Sequence, residues 1–77
     1  DNLPKDKDNN TKKGDVLFFN TSGSMGISQN KTLTFLNLKD IVVVESDSAI
    51  LVADINNTQD VKQIVDYLKI NNEKLIE

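Results

Sequence analysis

The sequence predicts a mostly β domain that ends in a single helix, and two observations carry that reading. Five short apolar segments, Val16-Leu-Phe-Phe19, Met25-Gly-Ile27, Leu33-Thr-Phe-Leu36, Ile41 to Val44 and Ala49 to Ala53, recur with centres about eight or nine residues apart, as consecutive short strands do. The last third then changes period. Val61, Ile64, Val65 and Leu68 fall at i, i+3, i+4 and i+7, which is one face of a helix. A chain of 77 residues makes one small domain, and such a domain buries only roughly 60% of the surface its unfolded chain exposes.

Residues 1–13, DNLPKDKDNNTKK, hold one Leu and one Pro among charged and amide side chains. That is too little apolar surface to offset ordering entropy, so they read as a linker or disordered arm. Asp6, Asp8 and Asn10 occupy the first, third and fifth positions of a calcium loop, but Thr11 stands where the sharp turn needs Gly and Leu17 where a bidentate Glu should close the site. A solvated linker is the expectation there.

Residues 14–56 carry the strands, separated by Asn, Gly, Ser, Asp and Lys, residues that turns favour. Thr21-Ser-Gly-Ser-Met-Gly26 has the glycines of a phosphate loop, yet a strand follows instead of a helix and no Lys is in place, so it reads as a β-turn. Spacing alone leaves a meander, a barrel and a β-helix open; a small α+β antiparallel meander plus helix is the alternative fold. In Asp40–Asp54 the two apolar runs meet across Glu45-Ser46-Asp47-Ser48, which a hairpin turn could also explain. Residues 57–77 form the helical segment, with Asn57 as N-cap, Asp60 in the first turn and Asn71-Asn72 as a stop.

Composition removes several function classes. There is no Cys and no His, so neither a disulfide framework, nor a zinc site of the usual kind, nor a Ser-His-Asp triad can be built from this chain. All nine basic residues are Lys and the net charge is −3. Lys5 and Lys7 alternate with Asp6 and Asp8, which cancels much of their field, and no nucleic-acid partner is expected. No apolar run approaches the 18 or so residues of a membrane span, and the lack of Cys fits a reducing, cytoplasmic location.

Three blocks carry a resemblance: Gly14, Asp15 and Val16; then Asp40 to Glu45 with Ala49 to Val52; then Gln59, Asp60, Val61 and Lys62. In this order and spacing they resemble the C-terminal part of bacterial mannose-1-phosphate guanylyltransferase, the GDP-mannose pyrophosphorylase family, over about residues 6–70. The resemblance implies a short β-helix-like coil of about five short strands capped by a helix, with Glu45-Ser46-Asp47-Ser48 as a corner between successive sides. Asn37 stands where the family has Gly, a mild change because Asn accepts positive φ better than other non-Gly residues. Ser48 stands where the family has Asp.

The family enzyme converts GTP and mannose 1-phosphate to GDP-mannose and pyrophosphate with Mg²⁺, in an N-terminal domain whose Gly-rich phosphate loop and metal carboxylates have no counterpart here. No catalytic, cofactor-binding or metal residue is therefore carried over, and the fragment itself is not expected to be an enzyme. The implied role is a structural and dimerisation module, with the N-terminal catalytic domain and a second copy as partners. Val42, Val44, Ile50 and Val52 are expected inside the coil, and Val61, Ile64, Val65 and Leu68 to cap it. The rival reading is a free-standing binding module without catalytic activity; a small enzyme would have to rest on Asp, Glu, Lys, Ser or Tyr67 alone.

Overall fold

In a computed structural model of the chain, residues 4–57 and the single position 63 are described. Six strands lie among them: β1 (Thr11–Lys13), β2 (Val16–Phe19), β3 (Met25–Ile27), β4 (Leu33–Leu36), β5 (Ile41–Glu45) and β6 (Ile50–Asp54), followed by a 3₁₀ turn at Ile55–Asn57. They form a four-stranded sheet in the order β1-β3-β5-β6, here sheet 1, and a two-stranded sheet β2-β4, here sheet 2.

The chain alternates between the two sheets and so winds as a coil. Thr11, Met25 and Val42 stack in parallel register in sheet 1, and Val16 stacks on Leu33 in sheet 2. Each return needs a sharp corner, and the corner residues take the left-handed backbone that L side chains resist. Asn20 and Asn37 have φ of 49° and 59°, and Asn9, Gly23 and Asp40 have 65°, 64° and 59°. Asn and Asp tolerate this region best among side-chain-bearing residues. The Asn20 Nδ2 also donates to Asn37 Oδ1 at 2.7 Å, one turn of the coil and 17 residues along.

Between the sheets lies a narrow core. Val16 and Phe35 are almost fully buried from the sheet 2 side, and the rings of Phe18 and Phe35 pack tilted with centroids 4.9 Å apart. Opposite them Gly26 is the residue that lets the sheets close. A Cβ there would lie 2.7 Å from Val16 Cγ1 and 2.8 Å from Phe35 Cε1, inside van der Waals contact.

Two expectations change. The stretch expected to be a linker up to residue 13 contributes β1, because strand pairing uses backbone groups and needs no apolar side chain. Asn10 supplies the anchor: buried, it donates from Nδ2 to Thr21 O at 2.8 Å and accepts from Ser24 N at 2.9 Å. The second correction concerns Glu45-Ser46-Asp47-Ser48, expected as a corner of the coil. The chain reverses here: Ser46 N donates to Ala49 O at 2.9 Å, and β6 returns antiparallel along β5 with Val44 opposite Leu51 and Glu45 opposite Ile50. β5 thus belongs to both arrangements, parallel to β3 on one side and hairpin partner of β6 on the other. Of the helical segment expected at 57–77, Asn57 ends the 3₁₀ turn and the rest lies outside the described residues, except for Gln63.

Candidate interaction surface

The best-defined polar feature is a carboxylate enclosed by a corner. Glu45 ends β5, is buried, and accepts from the backbone N–H groups of Gln29, Asn30 and Lys31 at 2.8, 2.9 and 3.1 Å, with the Ser28 hydroxyl at 3.4 Å. The N–H of Asn30 and then that of Gln29 hold its carboxyl below the usual value of 4.5, against burial, which acts the other way. Asp47, in the β5–β6 turn, accepts from Asn30 Nδ2. These contacts fix the long corner between β3 and β4 from the next turn of the coil. Three backbone N–H groups thus converge on Glu45, which is a structural use of a carboxylate.

Asp6 does the same at the other end. Its Oδ1 accepts from Asp8 N and Asn10 N, both at 2.8 Å, and the Asn10 contact leads the causes that keep its carboxyl below its ordinary value. The residues that looked like the start of a calcium loop are therefore a turn closed on itself. Among the described residues no group of three or more His, Cys, Asp or Glu is arranged to hold a metal ion.

Part of the exposed surface is apolar. Along β2 and β4 the inward residues are Val16, Phe18, Leu33 and Phe35, and the alternation of a strand turns Leu17, Phe19, Thr34 and Leu36 outward. Leu17, Phe19 and Leu36 are 45%, 50% and 61% exposed, with Leu38 beside them. Of the residues expected inside the coil, Val42 is buried and Val44 half-buried, but both alternate with Val43, which is in register with the core-facing Gly26, so they lie on the other face of sheet 1; Ile50 and Val52, on the returning strand, are exposed at 57% and 64%. Val61, Ile64, Val65 and Leu68 lie outside the described residues. The outward face of sheet 2 was legible only in part: Val16 to Phe19 is apolar at every position, and a strand apolar on both parities is one with two faces to cover.

The coil and its corners have counterparts among known proteins. The family model of the MannoseP isomerase/GMP-like beta-helix domain matches residues 14–68. A putative mannose-1-phosphate guanylyltransferase of Vibrio cholerae serotype O1 is 47% identical over 68 residues, covering 88% of this chain and 15% of the relative. The mannose-1-phosphate guanylyltransferase of Salmonella montevideo is 40% identical over 68 residues, 88% of this chain and 14% of its own length. The chain thus spans about one seventh of these relatives. A crystal structure described as mannose-1-phosphate geranyltransferase from Thermus thermophilus shares the fold, with a TM-score of 0.70 at 19% identity over 84% of this chain and 20% of that one. With a coil of this form and a family match over most of its length, the chain belongs to the MannoseP isomerase/GMP-like beta-helix domain family.

Proposed function

We propose that the chain is the C-terminal structural module of a mannose-1-phosphate guanylyltransferase, the enzyme that turns GTP and mannose 1-phosphate into GDP-mannose and pyrophosphate with Mg²⁺. The observation that supports this best is the match of 88% of the chain to a small part of such relatives. The module's work is packing. Its outward face of Leu17, Phe19 and Leu36 carries no charge, and covering apolar surface of this kind is favourable by about 25 cal/mol per Å². It rests against the N-terminal catalytic domain, and the assembled enzyme pairs with a second copy through this region. GTP and Mg²⁺ are held by the catalytic domain, and the enzyme works in the cytoplasm. Among the described residues no helix is long and apolar enough to cross a membrane.

The test is the product of the complete gene, assayed for GDP-mannose formation from GTP and mannose 1-phosphate. Activity is expected, together with a lower thermal midpoint of the intact enzyme when Phe19 and Leu36 are both changed to Ser. A gene product without that activity would sink the reading and favour the free-standing binding module.

A further inference from the structure

Sheet 1 has four strands and sheet 2 has two, and the shortfall leaves a place of defined shape. Gly26 faces Val16 and Phe35 in the core. It is in register with Val43, and Val43 is directly opposite Val52. Residues so aligned lie on the same side of a sheet, so Val52 and, two residues earlier, Ile50 face the core side. They are nevertheless 64% and 57% exposed, because no strand of sheet 2 lies across from β6 among the described residues.

Among the described residues the edge beside that place is open as well. Leu33 N donates to Asp15 O at 2.9 Å and Asn37 N to Phe19 O at 3.0 Å, so the alternating backbone groups of Thr34 and Leu36 point away from β2. Natural edges are guarded by charge or Pro. β1 carries Lys12 and Lys13, and β6 ends on Asp54, whereas β4 is Leu-Thr-Phe-Leu with neither.

We infer that the open edge of β4, roofed by Ile50 and Val52, receives one extended, uncharged strand from the part of the enzyme polypeptide outside these 77 residues. This rests on the function proposed above, in which relatives about seven times longer than the matched segment leave ample chain to supply it. A strand added to β4 would stand about 4.8 Å from it and about 10 Å from the sheet it faces. A second copy pairing its own β4 there would drive its four-stranded sheet into the space that β5 and β6 occupy. The walls along Leu33 to Leu36 and Val52 bear no charge, and charge enters only at the Ile50 end, with Lys31, Glu45 and Asp47; the incoming strand is therefore one whose inward side chains are apolar along Val52 and whose backbone continues the ladder through Thr34 and Leu36.

The test uses the complete enzyme and its amide hydrogen exchange. Thr34 and Leu36 amides are expected to exchange at least about tenfold more slowly than the amides on the guarded edge of β1. A V52C thiol is expected to be alkylated slowly in the intact enzyme. Thr34→Pro removes a donor that the coil itself does not use, and edge strands tolerate Pro there. It is expected to release the Leu36 amide and to speed alkylation of the V52C thiol while GDP-mannose formation persists. Exchange at Thr34 and Leu36 as fast as on β1 in the wild-type enzyme overturns the inference without any variant. Protection that grows with protein concentration, or protection traced by cross-linking to residues 58–77, also overturns it, in favour of a second copy or of the chain's own C-terminal segment. Failure of the guanylyltransferase assay with Thr34 and Leu36 still protected would instead remove the functional reading and leave the strand site standing.

Discussion

After β3 the chain turns through Ser28–Thr32 and runs on into sheet 2; after β5 it turns through Ser46–Ala49 and folds back along its own strand. The strands on either side of the two connections are alike, Leu-Thr-Phe-Leu after the first and Ile-Leu-Val-Ala-Asp after the second. Their corners differ. The first is held open by a carboxylate from the following turn, Glu45, on three consecutive N–H groups. The second closes on itself through Ser46 N to Ala49 O. Strand composition therefore does not decide between coil and hairpin here. The hydrogen bonds of the connection do, and whether a further turn of chain reaches over to make them.

This contrast can be broken at several points, and the largest effect is expected at the short corner between β1 and β2. Gly14 has φ of 88°, and a Cβ there would lie 2.3 Å from the Ser28 carbonyl oxygen. Gly14→Ala is expected to cost about 2 kcal/mol or more, read as a lower denaturation midpoint with unchanged slope. Next is Asn10→Ala, which leaves the buried Thr21 carbonyl and Ser24 N–H without their partner. It is expected to cost about 1–3 kcal/mol and to raise amide exchange at Ser24.

At the long corner the expected effect depends on pH. The folded-state pKa of Glu45 is held below its ordinary value of 4.5, so its contribution is present above that value and is lost as pH falls through the lower folded value. Glu45→Gln is expected to destabilise at neutral pH and to loosen the amides of Gln29, Asn30 and Lys31. Its gap from wild type should close as pH is taken below about 4.5. A gap that stays constant into acid would sink this account of the corner. The smallest effect belongs to the hairpin turn: Ser46→Ala removes a side-chain bond to Ala49 O but leaves the backbone one. It is expected to shift stability by no more than about 0.5 kcal/mol.

The positions of β2 to β6 were legible to within about a residue, because each is a compact apolar run between turn-forming residues. Asn37 was read as a residue able to take positive φ, and it does, at 59°. β1 was not legible. Thr-Lys-Lys has no apolar pattern, and its pairing depends on Asn10, whose amide acts across 11 and 14 residues. A repeat did exist in the corners rather than in the strands. Asn20 and Asn37, and likewise Gly23 and Asp40, stand one coil turn of 17 residues apart, about twice the strand spacing noted in the sequence. The hairpin was missed because a four-residue polar link between apolar runs serves a corner and a reversal equally well. Glu45 gave no sign of its use: a single Glu at the end of a Val-rich strand looks like the first residue of a loop.

That carboxylate also has a bearing on the order in which the molecule takes shape. Parallel coils of this kind form contacts at modest sequence separation, which favours fast assembly, and a ribosome releases the early turns first. The corner at residues 28–31 nevertheless takes its protein acceptor from Glu45, some 14 to 17 residues later, once β5 has docked. Closure of the second turn is thereby coupled to the docking of the third, through the Glu45 carboxylate on the Gln29, Asn30 and Lys31 N–H groups.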